Sequence, residues 1–140
     1  MTVAEAPTRP KPIPPIFKVN QGFWEGSKVG ELRLDHCIDC EHIWFPPSSS
    51  CPNCLSTNID WQAVSGRGKV WSWIWMHQRY GWAFDAELPY LLVQVNLEEG
   101  PTMVATLVGI EKDQLQFDMP VKVTWQQRND NQSVPVFEPA

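Results

Sequence analysis

Apolar residues in the C-terminal part of the chain recur in short alternating runs, the pattern of half-buried β-strands. The runs span residues 69–77, 90–97, 102–108, 121–127 and 134–137, and turn-forming clusters rich in Gly, Pro and acidic residues separate several of them. Residues 109–117 are too short and too polar for a full helix, so we expect one helical turn packed by Ile110 and Leu115. Five short antiparallel strands with one helical turn between the third and fourth predict an OB-type barrel.

The first of these runs is rich in tryptophan. Trp71, Trp73 and Trp75 stand at spacing two, which places them on one face of a regular strand. Residues 70, 72, 74 and 76 then form the other face. Because three of these four are also apolar, we expect both faces to be largely covered.

The N-terminal third of the chain has a different composition. Residues 7–15 contain five prolines, which favours an extended polyproline II arm, either disordered or packed along a partner. A short helix follows, with Asn20 as its cap and Phe23 and Trp24 on its apolar side, and Gly30 ends it. Residues 31–36 alternate as a strand that leads into the first of two cysteine pairs.

The four cysteines of the chain form two CxxC pairs, Cys37 with Cys40 and Cys51 with Cys54, and ten residues separate the pairs. Two such turns supply the tetrahedral four-sulfur shell of a structural Zn²⁺, so we predict a zinc ribbon. Iron fits the same geometry. Two disulfides are the alternative, but they require an oxidising compartment. His36 and His42 lie beside the pairs and are alternative ligands.

Length and charge limit the class of protein. The chain of 140 residues fits one compact core with a small metal-bound subdomain. It has no apolar run near the roughly 20 residues that a membrane-spanning helix needs, and no charged region followed by an apolar one at its start, so we expect a cytoplasmic protein. The net charge is −5, and residues 81–140 carry nine acidic residues against three basic ones. Such a balance disfavours nucleic-acid binding.

The sequence carries no recognisable catalytic motif. The metal occupies the cysteines, so this chain cannot supply a nucleophilic thiol. The sequence has neither a Gly-x-Ser-x-Gly motif nor a glycine-rich phosphate loop. His77 ends the tryptophan strand and is a candidate general base. The alternative is a partly buried histidine or one at an interface.

Several phrases occur together in an order that resembles a known family. They are Gly22-Phe23-Trp24-Glu25-Gly26, the two CxxC pairs with Phe45-Pro46-Pro47 between them, Ser65-Gly66-Arg67-Gly68-Lys69-Val70-Trp71-Ser72-Trp73, Leu88-Pro89-Tyr90, Gly100-Pro101 and Met119-Pro120-Val121. The chain resembles, over about residues 17–137, the acyl-CoA-associated proteins that join a helix, a rubredoxin-like zinc ribbon and an OB-fold. We therefore expect a Pro-rich arm at 1–16, the helix and ribbon at 17–62, and the OB-fold domain at 63–140.

The resemblance also implies a role. Members of this family accompany thiolases and aldolases of the thiolase superfamily, so it implies a non-catalytic subunit that shares acyl-CoA with its partner, most simply as two copies bound to a partner dimer. CoA phosphates need fixed positive charge, and Arg67, Lys69 and Arg79 near the tryptophan strand are the candidates. Tyr80, Trp82 and Phe84 form an aromatic loop with the composition of a partner interface.

Two other functions stay open at this point. Zinc ribbons and OB-folds also bind nucleic acids, with aromatic side chains stacking on bases in a basic groove. The aromatic residues are present here, but the basic charge is not. A free-standing acyl-CoA carrier without an enzyme partner is the other alternative, and it would require tight binding of CoA thioesters by the isolated chain.

Overall fold

A computed structural model describes residues 11–80 and 82–140, apart from the side chain of Trp82. It contains one α-helix, α1 (Gln21–Lys28), and eight strands: β1 (Leu32–Cys37), β2 (Ile43–Trp44), β3 (Ile59–Val64), β4 (Arg67–Met76), β5 (Tyr90–Leu97), β6 (Thr102–Thr106), β7 (Pro120–Asn129) and β8 (Gln132–Pro139). Short 3₁₀ helices lie at Lys18–Asn20, Trp82–Glu87 and Lys112–Gln114. Within the described residues, no helix is long and apolar enough to cross a membrane. The prediction of a mainly β fold with one short helix is confirmed.

The ribbon is a three-stranded antiparallel sheet with strand order β2-β1-β3. We predicted β1 but neither of its neighbours. β2 is only two residues long and is too short for a period-two signal. β3 does carry one, because Asp60 and Gln62 alternate with the half-buried Ile59 and Trp61, and we did not use it. β3 pairs with β1 along its whole length, with Ile59 opposite Cys37 at one end and Val64 opposite Leu32 at the other. It therefore runs through the predicted start of the OB-fold domain at residue 63, a boundary that stays a prediction.

Helix α1 joins the ribbon to the barrel. Phe23 and Trp24 are buried and belong to the same core cluster as the barrel strands. On the ribbon side, the glycines at 22 and 26 let the helix approach closely, because a Cβ at Gly22 would lie 2.3 Å from the indole ring of Trp61. A Cβ at Gly26 would lie 2.6 Å from the Glu31 carbonyl oxygen. Positions four apart share one helix face, so this glycine face fixes how α1 lies on the sheet.

The C-terminal strands form a five-stranded antiparallel sheet with order β6-β5-β4-β7-β8. A parallel bridge between Leu107 and Phe137 brings its two edges together and closes the barrel. The core inside it is fully buried and includes Val70, Val93, Val95, Val121 and Phe137. A single 3₁₀ turn stands between the third and fourth barrel strands, as the sequence predicted, with Ile110 and Leu115 packed against the core.

The expectation that the three tryptophans share one face of β4 is wrong. A β-bulge lies between Val70 and Ser72, so Trp71 has no partner on β5. The extra residue shifts the alternation, and Trp73 and Trp75 pack against the core on the same side as Val70. Trp71 is 59% exposed on the outside of the barrel. A pattern of period two cannot reveal such a bulge, because it assumes an uninterrupted strand.

The described part of the Pro-rich arm, residues 11–16, packs on its own chain. Lys11 forms an ion pair with Glu87, and its ammonium lies 5.7 Å from the ring centroid of Phe84. The carbonyl of Pro14 accepts a hydrogen bond of 2.6 Å from the side-chain amide of the buried Gln132. These contacts within the chain were not predicted from the sequence, and packing of the arm along a partner stays a prediction. Residues 1–10 of the arm lie outside the described residues.

Candidate metal centre and basic groove

The two CxxC turns bring the four cysteine sulfurs together at one end of the ribbon. All four Sγ atoms lie within 4.8 Å of one another, and the Cys37–Cys54 and Cys40–Cys51 pairs are each 3.6 Å apart. A tetrahedral ion with Zn–S bonds of about 2.3 Å has sulfur–sulfur edges of about 3.8 Å. A disulfide needs about 2.05 Å. The residues therefore fit a four-sulfur metal ion, and the four cysteines are free thiols rather than two disulfides.

Hydrogen bonds aimed at the sulfurs prepare this site for thiolates. The backbone amide of Asn53 donates to Cys51 Sγ at 3.4 Å, and the Asn53 side-chain amide donates to Cys40 Sγ at 3.5 Å. The Asn53 side chain and then the backbone amide of His42 lower the pKa of Cys40 from 9.0 to about 6. Hydrogen bonds donated to sulfur stabilise the thiolate, as hydrogen bonds to ligand atoms do at metal sites. Asn53 was not predicted from the sequence as a residue of this site.

Four neighbouring thiolates disfavour one another in the absence of a cation. The backbone amide of Ser56 acts to lower the pKa of Cys54, yet that pKa is raised to about 12, because burial and the three neighbouring sulfurs disfavour another negative charge. A bound Zn²⁺ would supply the missing positive charge and would displace the remaining protons. With four protein ligands no coordination position stays open, so the site is suited to holding the ribbon together rather than to catalysis.

The histidines near the cysteine pairs have other contacts. His36 Nδ1 lies 2.7 Å from a carboxylate oxygen of Asp60 across the β1–β3 pair. The ring of His42 stacks on Trp44 at a centroid distance of 5.9 Å. Among the described residues, the one group of potential ligands is the four cysteines. His77 is exposed just past the end of β4.

A basic groove of about 300 Å³ lies on the outside of the barrel, at the start of β4. Arg67, Lys69 and the exposed Trp71 line it together, so two of the predicted CoA contacts and one tryptophan share a surface. Neither cation pairs with a carboxylate in the described part of the chain. Glu98 and Asp118 also line the groove, so its two cations are accompanied by two carboxylates, and the name basic groove refers to Arg67 and Lys69 alone.

Arg79 lies elsewhere. It follows the far end of β4, whose ten residues span roughly 30 Å if fully extended. Its guanidinium Nε lies 3.1 Å from a carboxylate oxygen of Asp85. The structure therefore brings Arg67 and Lys69 together at the start of β4 and leaves Arg79 apart, three residues past the end of the same strand.

The predicted interface residues lie at the same end of the barrel as Arg79. Tyr80 is 74% exposed. Phe84 is half-buried, with its ring centroid 6.2 Å from that of Tyr90 and Lys11 above it. Trp82 begins a 3₁₀ helix, and its side chain lies outside the described part of the structure. Of this set, Tyr80 offers an open aromatic surface, whereas Phe84 also contacts its own chain.

Comparison with known proteins identifies the family. Residues 24–60 match the model described as the rubredoxin-like zinc ribbon domain of ChsH2, and residues 61–126 match the C-terminal OB-fold domain of ChsH2. The chain belongs to the ChsH2/DUF35 family. The resemblance stated from the sequence is thus confirmed, and the four-cysteine site is the metal site of a zinc ribbon.

Relatives of known structure or annotation extend this picture. A solved chain titled "Ltp2-ChsH2(DUF35) aldolase" superposes with a TM-score of 0.80 at 35% identity, covering 91% of this chain and 98% of that one. A probable enoyl-CoA hydratase alpha subunit of Thermomonospora curvata is 35% identical over 97% of this chain. A DUF35 domain-containing scaffold protein of Pyrococcus furiosus is 37% identical over 60% of it. The chain spans 42% of the length of the hydratase subunit and 62% of the scaffold protein.

Proposed function

We propose that this chain is a non-catalytic, zinc-binding subunit of an aldolase-type or thiolase-type complex that acts on acyl-CoA thioesters. In this role it helps to form the acyl-CoA site and stabilises the complex. The observation that carries the proposal is the basic groove, in which Arg67, Lys69 and Trp71 lie together on the outside of the barrel. Two cations and an indole are the groups that a CoA phosphate and an adenine ring need.

The composition of the metal site supports an accessory role. All four cysteines converge on one point, so none is available as the nucleophile of carbon–carbon bond chemistry. The solved relative with 35% identity carries both an Ltp2 and a ChsH2(DUF35) component in the name of an aldolase, and another relative is named a scaffold protein. The partner enzyme would therefore supply the reacting groups, and this chain would supply binding surface.

Co-purification tests the existence of the complex. The tagged chain is recovered from its native host under mild salt, the bound proteins are identified by mass spectrometry, and the purified complex is weighed by light scattering. We expect an aldolase or thiolase subunit, with two copies of each chain. The isolated chain should show no turnover of acyl-CoA thioesters. Turnover by the isolated chain, or the absence of any such partner, would contradict the proposal.

Substitutions in the basic groove test the acyl-CoA contact. A charge-assisted hydrogen bond to phosphate contributes about 1.5–3 kcal/mol. The double variant Arg67→Ala, Lys69→Ala removes two such contacts and should therefore raise the KM of the complex for acyl-CoA about 100-fold or more, with kcat nearly unchanged, because the contacts are remote from the reacting atoms. Lys28→Ala, an exposed cation on α1, is the matched control.

Arg79→Ala is measured in the same series, because Arg79 was predicted as a CoA contact and lies apart from the groove. An intact complex in which the double variant leaves KM unchanged would place CoA wholly on the partner. This chain would then be a scaffold without a CoA contact. Tight binding of CoA by the isolated wild-type chain, followed by tryptophan fluorescence, would instead favour the free-standing carrier.

A further inference from the structure

The outer surface of the barrel has an uncharged area in the middle of strands β4, β5 and β6. We call it the neutral face, and its residues are Ser72, Ile74, Leu92, Gln94 and Val104, which line one shallow depression of about 170 Å³. The Ser72 hydroxyl donates a hydrogen bond of 3.2 Å to the side-chain carbonyl oxygen of Gln94, and both residues are uncharged. The depression therefore offers apolar contact without a charge to desolvate.

Two large apolar side chains of the neutral face lie open to solvent. Ile74 is 56% exposed and Val104 is 63% exposed. Ile74 pairs with the half-buried Leu92 in the β4–β5 ladder, and Val104 pairs with Gln94 in the β5–β6 ladder, so both lie on the same outward side of the sheet. The centres of protein interfaces are depleted of charged residues and contain such apolar groups. In a chain where 27 of 140 residues are charged, this face has the composition of an interface centre.

The neutral face is continuous with the basic groove. Gln94 precedes Asn96 on the outward side of β5, and Asn96 lines the groove together with Lys69 and Trp71. The next outward contact is also uncharged, since Thr102 donates a hydrogen bond of 3.0 Å to Asn96. A protein seated on the neutral face would therefore reach the border of the groove.

We propose that the neutral face is the surface on which the aldolase-type or thiolase-type subunit docks, so that a CoA held by Arg67 and Lys69 lies at the edge of the interface. This inference rests on the proposed function and adds where the partner binds. The occupant has an apolar, uncharged centre that matches Ile74 and Val104, and the two cations of the groove face the CoA phosphates at its rim. A second copy of this chain fits less well, because two chains of net charge −5 repel each other.

The test places one negative charge on the neutral face. Val104→Asp and Ile74→Asp put a carboxylate into the proposed centre of the interface, where burial would strip its water. Val29→Asp is the matched control, because Val29 is 64% exposed at the end of α1, on a different element. The partner is the purified enzyme subunit identified by co-purification, and binding is measured by calorimetry. Circular dichroism and zinc content verify that each variant is folded.

We expect Val104→Asp and Ile74→Asp each to weaken binding of the partner by about 30-fold or more, the loss typical of a disrupted interface centre. Val29→Asp should change the dissociation constant by about twofold or less. If the partner binds the Asp variants as tightly as it binds the wild type, the neutral face is not the docking surface, although the proposed function would stand. Absence of any enzyme partner overturns the proposed function itself.

Sedimentation of the isolated chain distinguishes the remaining occupant. A wild-type dimer that becomes a monomer in Val104→Asp, together with unchanged affinity for the enzyme subunit, would assign the face to self-association and overturn the inference. A monomeric wild-type chain whose Asp variants lose the enzyme subunit would support it.

Discussion

The contact between Gly22 and Trp61 gives a prediction in which two physical effects have opposite signs. Glycine inside a helix is less favourable than alanine by about 0.8–1.0 kcal/mol, so Gly22→Ala should stabilise α1 when the helix is considered alone. In the folded chain, however, the new Cβ would lie 2.3 Å from three atoms of the Trp61 indole. Ordinary contacts between carbon atoms are about 3.5–4.0 Å, so the ring or the helix must move by more than about 1 Å.

The magnitudes decide which effect is larger. Overpacking of a well-packed site costs about 1–3 kcal/mol. Trp61 is half-buried and packs against the core cluster, so its ring has limited room to move. Because Gly22 is in the first turn of α1, where the helix-propensity gain is smaller, we expect Gly22→Ala to lower the free energy of unfolding by about 1–2 kcal/mol.

Removal of the indole should reverse the sign. In a Trp61→Ala background the methyl group meets no ring, and Gly22→Ala should then raise stability by about 0.5–1 kcal/mol. The coupling energy between the two positions should be about 2 kcal/mol. Gln21→Ala, an exposed change on the same helix, measures the effect of propensity without the contact.

Urea unfolding followed by far-ultraviolet circular dichroism measures all variants, at one fixed concentration of free zinc, because bound metal adds to apparent stability. The reasoning would be refuted if Gly22→Ala stabilised the wild-type chain, or if its effect were the same with and without Trp61. Either result would mean that α1 does not depend on the close approach to β3.

Three further predictions concern single sites. Chelation of the metal, or Cys37→Ser, should unfold the ribbon, which circular dichroism measures. Zinc affinity should fall as the pH falls, because protons compete for the thiolates, and a titration of zinc with a chromogenic chelator measures this affinity. Burial raises the pKa of Asp35, against the effect of the Ser48 amide, which donates a hydrogen bond of 2.9 Å to the carboxylate. Stability should therefore fall as the pH rises from the ordinary pKa of an aspartate to the raised pKa of folded Asp35. Asp35→Asn should therefore raise the free energy of unfolding at pH 7, whereas Asp35→Ala should lower it by about 1–3 kcal/mol because the Ser48 amide loses its acceptor; reduced stability of Asp35→Asn in urea would contradict this. Trp73→Ala should lower the free energy of unfolding by about 3 kcal/mol and Trp71→Ala by less than about 1 kcal/mol, because the bulge leaves Trp71 exposed whereas Trp73 packs against the core. Equal losses of stability in thermal unfolding would contradict the bulge.

Local chemistry made much of this protein predictable. The CxxC spacing leads to a four-sulfur site because each turn can present two thiolates to one ion, and the sulfurs do converge. The barrel strands were found because each has an inward apolar side, and β5 was predicted with its observed bounds. The phrase Gly22-Phe23-Trp24-Glu25-Gly26 pointed to the family before its physical role was visible.

Other features depended on which segments meet in space. The small residue at 22 has meaning only because Trp61, 39 positions later, lies against it. The hydrogen bonds from Asn53 to sulfur depend on the conformation of the second turn, which the identity of the cysteines does not specify. The grouping of Arg67 with Lys69, and the separation of Arg79 from both, follows from the length of β4.

The sequence by itself determined the four-cysteine metal site and the number of barrel strands, since each depends on residue type and short-range spacing. Tertiary structure decided which tryptophan faces solvent, where the cations gather, and which uncharged face of the sheet stays open. A one-residue bulge at Trp71 reverses the faces of a strand without changing its composition. Surfaces for binding are built from residues of several strands, and only the register between those strands places them side by side.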